Sequence, residues 1–462
     1  MTTASPAPPA SPGGVAASVA ARIERLPTSR WHLKVRTLIG VVTFFEAFDQ
    51  LLIASALPVI SREWHLSGLQ QTLTVTGGSV GMLVGALVAG RLADRIGRVR
   101  MVVLCVALTA LSSLGIVFAP GFAVFLLLRF VQGLGIGGEV PVAATYINEI
   151  ARAGHRGRFV LLYELVFPAG LMAASVLATW VVPNMGWRAM FAIGALPALL
   201  VVLLQRRVPE SPRWLAARGR DADAERTMRR IEDEVERATG RPLPAPADPA
   251  AFTAAAPRGS LRDLFTGIYL RRTTVISVLW FCGYFVNYSI SSWLPTIYTK
   301  VYEVPLGTAL KYNQLSTVAG FLGCLCAALL VDRLGRRAVI GGGLAGSAVV
   351  LAVLALLGAT SGAQVALFAS IASAFNFAAN ISLYLYTPEL YPTRNRALGV
   401  AFGGSWNRIG VILGPTITGA LIGAGAGIAG VFLILAVVAL VGMAATYFAV
   451  ETRGKTLEEL NP

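Results

Sequence analysis

Long apolar stretches alternate with short polar segments along most of the chain. A helix needs about 20 residues to cross a bilayer, and twelve stretches approach or exceed that length. They lack the period-2 alternation of a transmembrane strand, and a chain in hydrocarbon must satisfy its backbone hydrogen bonds internally. We therefore predict an all-α membrane protein. The predicted spans are 38–60, 70–91, 101–119, 122–147, 159–181, 187–204, 273–298, 313–331, 338–357, 363–388, 397–422 and 429–450.

The polar segments divide the chain into two bundles, a linker and two tails. The stretch Asp221–Ala238 within the linker has the charge density of a solvated amphipathic helix, and the Ala/Pro-rich start of the chain suggests a disordered tail. The predicted parts are a tail at 1–37, a six-helix bundle at 38–204, a linker with amphipathic helices at 205–271, a second six-helix bundle at 272–450 and a tail at 451–462.

Composition and charge support this picture and exclude two classes of protein. Hydrophobic residues make up 55% of the chain and charged residues 14%, which excludes a soluble domain. The net charge of +15 would suit a nucleic-acid partner, but the arginines concentrate in the loops after spans 2, 4, 8 and 10, while the loops after spans 3, 9 and 11 have none. This asymmetry predicts that both termini and the linker are cytoplasmic, facing anionic lipid rather than nucleic acid.

The reactive residues indicate neither an enzyme nor a metal protein. All four cysteines fall in apolar stretches without ligand spacing, and no nucleophile–base pair is recognisable. The GxGxxG run at 133–138 lies inside a predicted span, where small residues favour close helix approach rather than nucleotide binding. We expect no cofactor, no metal and a monomer.

One short loop occurs twice. Residues 90–98 (GRLADRIGR) and 331–337 (VDRLGRR) both lie between apolar stretches. A second pair repeats at nearly the same offset, Glu149 with Arg156 and Glu389 with Arg396. Such repeats predict two six-helix halves related by an axis along the membrane normal, with the substrate near the midplane.

The doubled loop resembles the signature of major facilitator superfamily transporters. Residues 209–215 (PESPRWL) and 451–455 (ETRGK) resemble motifs of its sugar-porter side. The resemblance implies alternating access. It also implies a cytoplasmic gate that is held closed by carboxylates near helix N-termini and their arginine partners. The predicted gate residues are Asp94, Arg95, Arg98, Glu139, Glu149, Arg156, Asp332, Arg333, Glu389 and Arg396.

Charged residues inside spans are costly and usually functional. The three histidines lie outside the spans, so coupling to protons would depend on carboxylates. Asp49 and Arg129 are predicted to lie at similar depths in the membrane. They form either a contact that is broken when Asp49 is protonated or a permanent structural ion pair. Glu46, one helical turn from Asp49, and Glu164 are alternative proton sites.

Arg408 is the most informative residue for the substrate. It lies near the middle of span 11 without an acidic residue in that span. A guanidinium there can bind a substrate carboxylate bidentately; alternatively, a carboxylate of span 1 or span 5 satisfies it.

Span 7 and its neighbours supply further candidates for substrate binding. An aromatic face on span 7 would stack a planar substrate, although the same stripe would equally pack against another helix. Asn376 and Asn380, at i,i+4 spacing, would bind a ring nitrogen or hydroxyl, or join two helices. The remaining candidates are Trp280, Tyr284, Asn287, Tyr288 and Trp406.

A narrower resemblance concerns the substrate. The runs 22–27 (RIERLP), 44–49 (FFEAFD) and 389–393 (ELYPT) resemble the bacterial niacin-transporter branch, which is similar to animal organic-ion carriers and synaptic vesicle proteins. In those carriers the position of Arg408 tends to be Arg where the substrate is an anion. The resemblance implies proton-coupled uptake of nicotinate or a similar aromatic monocarboxylate across the bacterial inner membrane.

Three alternatives remain open. A sugar or polyol symporter would share the motif after span 6 but leaves Arg408 unexplained. An organic-cation or drug antiporter would use Asp49, Glu46 and Glu164. A receptor-like protein of the same fold would bind without transporting.

Overall fold

The computed structural model describes residues 14–27, 29–150, 165–248, 260–455 and 457–460. These residues form helices, joined by short turns, and two 3₁₀ segments at Leu261–Phe265 and Thr446–Phe448. The helices are α1 Gly14–Glu24, α2 Arg30–Glu63, α3 Gly68–Ile96, α4 Arg98–Val117, α5 Phe122–Ile150, α6 Val166–Met185, α7 Trp187–Gly194, α8 Ala198–Arg207, α9 Pro212–Ala217, α10 Asp221–Thr239, α11 Gly267–Lys300, α12 Leu306–Leu334, α13 Arg336–Leu356, α14 Gly362–Glu389, α15 Thr393–Gly423, α16 Ile428–Ala445 and α17 Leu457–Leu460.

The described helices match the predicted spans, and residues 159–164 of the fifth predicted span lie outside the described residues. Ten helices among the described residues are long and apolar enough to cross a bilayer. The other two spans correspond to α15 and to the consecutive pair α7 and α8, so the prediction of an all-helical membrane fold is confirmed.

The sixth span is broken in two, which the sequence analysis did not predict. Helix α7 ends at Gly194, and a turn precedes α8. Pro197 lies in this turn, has no N–H and cannot continue the ladder of helical hydrogen bonds. The break lies beside α2, because a Cβ on Gly194 would stand 2.4 Å from Asp49 Oδ1.

Close helix contacts build the first half. Helices α3 and α5 approach so closely that a Cβ on Gly133 would lie 2.1 Å from the carbonyl oxygen of Gly78. A Cβ on Gly137 would lie 2.0 Å from that of Met82. The GxGxxG run is therefore a helix-packing surface, as predicted.

Part of the tail differs from the sequence expectation of a disordered start, whereas α10 matches the amphipathic helix predicted for the linker. Residues 14–24 form α1, which packs on α10 through an apolar seam that includes Val19, Ile23, Met228 and Ile231. Arg22 Nη1 also contacts Glu225 Oε2 at 2.6 Å. Residues 14–24 are helical because the amphipathic linker helix offers them both an apolar face and opposite charges.

The two halves meet mainly along α3 with α15 and α6 with α12. We call the end of the bundle that carries the Asp94 and Asp332 loops the motif end. At the opposite end, a Cβ on Gly68 would touch the Cα of Gly423 at 3.6 Å, and Thr179 Oγ1 donates to Gln314 Oε1 at 3.2 Å. The halves are therefore closed against each other at the opposite end.

Candidate functional site

A small cavity lies between the two halves. It measures about 30 Å³, and four of the predicted substrate-binding residues line it: Tyr284, Asn287, Tyr288 and Asn380. Phe167 and Pro168 of α6 close it from the first half. By this measure the space holds about two water molecules, so an aromatic acid enters only after the lining moves apart.

The predicted aromatic face of α11 is a stack that continues into this cavity. The rings of Trp280 and Tyr284 stack with centroids 5.4 Å apart, and those of Tyr284 and Tyr288 with centroids 6.1 Å apart. Trp280 is buried and donates from Nε1 to Thr387 Oγ1 at 3.0 Å. Trp280 therefore supports the stack from behind, and Tyr284 and Tyr288 form the end that lines the cavity.

The two asparagines have different surroundings. Asn380 Nδ2 donates to the Gly283 carbonyl at 3.2 Å and to Asn376 Oδ1 at 3.0 Å. Asn376 is fully buried and does not line the cavity. It holds Asn380 in place, so its position matches the helix-joining interpretation.

Arg408 lies half-buried on α15 and acts electrostatically on the Tyr288 hydroxyl. It forms no ion pair with any carboxylate among the residues that the structure describes. Trp406 points elsewhere and packs edge-to-face on Phe281, with centroids 6.4 Å apart. Neither Arg408 nor Trp406 lines the small cavity in this conformation.

Asp49 and Arg129 lie at the centre of the first half. Asp49 is fully buried, and its oxygens accept no hydrogen bond within the described residues. Arg129 interacts with Asp49 electrostatically, but its Nη1 donates to Gln132, whose Nε2 donates to Ser113 Oγ at 2.7 Å. The predicted pair is thus close without direct contact in this conformation.

Arg129 also lines a second cavity, of about 20 Å³, together with Gln50 and Tyr288. The Tyr288 hydroxyl donates to Gln50 Oε1. This bond connects the aromatic stack of the second half with α2 of the first half, which carries Asp49 and Glu46.

Glu139, predicted for the gate, faces Glu46, and both carboxyl groups are buried. Its oxygens accept no hydrogen bond from the residues that the structure describes. Glu164, predicted for proton coupling, lies outside the described residues, as does Arg156, predicted for the gate.

The gate residues form two matching networks at the motif end. Arg98 contacts Asp94 at 2.6 Å and Glu149 at 3.2 Å. In the second half, Arg336 contacts Asp332 at 2.9 Å and Glu389 at 3.1 Å. Arg95 and Arg333 are exposed. Arg396 is half-buried.

The sequence analysis missed three members of these networks. Arg336, rather than Arg333, is the counterpart of Arg98. Glu210 Oε1 accepts from the backbone N–H of Arg98 at 2.9 Å, and Glu451 Oε1 accepts from that of Arg336 at 3.0 Å. Each carboxylate therefore caps the N-terminus of the third helix of its half. Their recurrence in the motifs after spans 6 and 12 was the available signal.

Comparisons with known proteins agree with this architecture. The sequence profile of a family described as "Sugar (and other) transporter" matches residues 36–462. The chain is 33% identical over 443 residues to the niacin transporter NiaP of Acinetobacter baylyi, across 95% of this chain and 98% of that protein. It is 28% identical over 460 residues to the synaptic vesicle 2-related protein of Bos taurus, across 95% of this chain and 81% of that protein.

The fold also matches a solved structure. The partially occluded inward open conformation of the xylose transporter XylE from E. coli superposes with a TM-score of 0.70 at 19% identity, covering 93% of this chain and 100% of that one. The family consists of transporters, so the chain is not an enzyme. The chain therefore belongs to the sugar (and other) transporter family and has the major facilitator fold of a multi-pass membrane protein.

Proposed function

We propose that this transporter carries a small organic anion, nicotinate or a similar aromatic monocarboxylate, into the cell together with protons. In this proposal the protein lies in the bacterial inner membrane with both termini cytoplasmic. The observation that carries the proposal is Arg408, a membrane-embedded guanidinium without a described carboxylate partner. A substrate carboxylate would offset its cost by bidentate hydrogen bonding.

The surroundings of Arg408 favour a planar substrate. Tyr288 lies within its electrostatic reach and ends the stack that begins at Trp280. An aromatic ring bound there would extend this stack, while its carboxylate faces Arg408. The similarity to a protein named as a niacin transporter supports nicotinate as the first candidate.

The arrangement of the halves supports a transport cycle by alternating access. The described contacts close the opposite end, so the site would open toward the motif end, where Arg98 and Arg336 anchor the two gate loops. Rocking the halves would break contacts such as Thr179 with Gln314 and expose the site on the other side. Buried carboxylates, with Asp49 and Glu46 as the predicted candidates, would take up the coupling proton.

The test is uptake of labelled nicotinate into proteoliposomes with and without an inward proton gradient. The wild type should accumulate nicotinate only when the gradient is present. Arg408→Ala should lose nicotinate binding by about 100-fold or more, since a charge-assisted bidentate contact contributes roughly 3 kcal/mol. Arg408→Lys keeps the charge without the planar fork and should bind with intermediate affinity.

The results also separate the competing functions. Normal nicotinate affinity in Arg408→Ala would contradict the assignment of this residue. Stabilisation of the protein by xylose or by organic cations, but not by carboxylates, would replace the anion proposal. Binding without flux in competent liposomes would identify a receptor.

A further inference from the structure

The second cavity, of about 20 Å³, contains a buried positive charge. Arg129 of α5 is 5% exposed and is the only charged residue in the described lining. By this measure the space holds one or two water molecules, or a group of similar size, at about 10–15 Å³ each. The other polar side chains of the lining are Gln50, Ser79, Tyr288 and Ser292.

One edge of the Arg129 guanidinium group has no partner. Its Nη1 donates to Gln132, and the described residues supply no acceptor to Nε or Nη2. Nε and Nη2 form one edge of the planar group, and two parallel N–H donors of this kind can bind both oxygens of a carboxylate. A buried donor without an acceptor is costly, so an occupant that accepts from this edge gains free energy.

The space in front of this edge exists because residue 78 is glycine. A Cβ on Gly78 would stand 2.8 Å from Arg129 Nη2 and 3.6 Å from Nε. The three atoms nearest to this Cβ all belong to the guanidinium group of Arg129. A methyl group at residue 78 would therefore fill the space and displace the guanidinium group.

Asp49 balances the charge of Arg129 without occupying this edge. The two residues interact electrostatically, but Asp49 does not line the cavity. Its Oδ1 lies toward α7, where a Cβ on Gly194 would stand 2.4 Å away. The donors of the Arg129 edge are therefore available to a group that enters the cavity.

We propose that this cavity is a second binding site for a carboxylate group. The Nε and Nη2 edge of Arg129 binds its two oxygens, and the hydroxyl groups of Ser79 and Ser292 supply further donors. The inference rests on the proposed function only in that the bound carboxylate belongs to the transported substrate. In the conformation described, the cavity holds the head group of a small acid, and a ring enters when the halves move apart.

The second site precedes Arg408 on the path from the opposite end. Ser292 lies one helical turn beyond Tyr288 along α11, which continues to the opposite end. The first cavity is lined by the preceding turn of α11, and Tyr288 lines both cavities. The hydrogen bond from Tyr288 to Gln50 separates them. During uptake the substrate carboxylate thus binds Arg129 first and passes to Arg408 when this bond breaks.

Formate tests the second site without any transport, because it carries the carboxylate without a ring. Calorimetric titration in detergent is carried out in the Arg408→Ala background, so that the signal does not come from Arg408. This protein should bind formate saturably. Adding Gly78→Ala should weaken binding by about tenfold or more, because the methyl group displaces the bidentate donors. Adding Gly342→Ala, at a glycine with open space around its Cβ position, should change nothing.

Arg129→Lys is the second variant, since it keeps the charge and leaves the space at residue 78 unchanged. A lysine lacks the paired donors of the guanidinium edge, so formate binding should weaken here as well. Formate binding that survives both substitutions would overturn the proposal, and so would the absence of formate binding in Arg408→Ala. Neither result involves nicotinate, so both are distinguishable from failure of the proposed substrate.

Transport measurements test the order of the two sites. Gly78→Ala alone should slow the initial uptake of nicotinate at low concentration by about tenfold, whereas equilibrium binding, which depends on Arg408, should change less than about twofold. An equal loss in rate and affinity would show that both arginines hold the substrate at once, which would contradict the sequential path.

Discussion

At the scale of single residues, the two halves place different charged groups around Tyr288. Arg408 in the second half has no described carboxylate partner, and Glu46, Asp49 and Glu139 are buried in the first half. Tyr288 lies between them and interacts electrostatically with both sides. Under the proposed function, an anion would neutralise Arg408 while a proton neutralises a carboxylate, so both charges would be compensated in the loaded state.

Gly97 is a residue at which the gate tolerates no side chain. Its φ is 114°, and a Cβ would stand 2.3 Å from Glu210 Oε2. Gly97→Ala should therefore displace the capping carboxylate and destabilise the protein by about 1–3 kcal/mol. Thermal unfolding of the purified protein in detergent measures the effect.

Gly90 provides the matched control for this substitution. It lies in the same region of α3 with open space around its Cβ position. Gly90→Ala should be neutral or slightly stabilising, since alanine favours a helix. Equal melting temperatures for both variants would contradict the capping role of Glu210.

At the scale of elements, α1 and α10 form a charged clasp beside the first half. Glu232 of α10 accepts hydrogen bonds from Arg22 and Arg25, and its side chain is 10% exposed. Burial raises the pKa of Glu232, but the hydrogen bonds and charges of the two arginines outweigh burial, so the pKa lies below its usual value of 4.5. The ionised carboxylate therefore stabilises the docked helix.

The clasp predicts a pH dependence for the docking of α1. Because the pKa of Glu232 is lowered on docking, the stabilisation is complete above about pH 4.5 and is lost as the pH falls through the lowered value. Hydrogen exchange of the α1 backbone should be slow at pH 7, and Glu232→Gln should accelerate it, corresponding to a loss of about 1–3 kcal/mol.

Glu234→Gln is the control for this prediction. Among the described residues, Glu234 forms an ion pair only with the half-exposed Arg230, at 3.1 Å and i,i+4 spacing on the same helix. Such surface pairs contribute about 0.3–0.5 kcal/mol. Similar exchange rates for α1 in the two variants would show that the apolar seam, rather than the charges, holds the clasp.

At the scale of the whole molecule, the described contacts place the closed interface of the halves at the opposite end. Thr179 of α6 and Gln314 of α12 meet there, as do the ends of α3 and α15. Alternating access requires these contacts to separate once in each cycle. The capping networks, by contrast, lie within each half and can move with it as rigid units.

A reversible cross-link tests this movement. Thr179→Cys with Gln314→Cys, joined by a short thiol-reactive linker, should stop gradient-driven uptake, and cleavage of the linker should restore it. Thr179→Cys alone, treated in the same way, is the control. Full uptake by the cross-linked protein would contradict opening at this end.

The sequence by itself determined the number and order of the spans, because burial in hydrocarbon demands long apolar helices. It also determined the two-fold organisation, since the Asp94 and Asp332 loops repeat with their flanking residues. Family membership follows from the same motifs. These features depend on local composition and on repeated motifs, and both can be recognised in the amino-acid sequence alone.

Only the tertiary structure decided which polar groups meet. In the structure the sixth span is interrupted near Pro197, and the interruption lies beside Asp49. Arg336 and Glu451 belong to the second gate network, and Glu139 faces Glu46. The tertiary structure also placed Asn376 behind Asn380 and ordered α1 on the linker. Each of these outcomes depends on contacts between helices far apart in the chain, and helical periodicity fixes the face of a residue but not the neighbour that packs against it.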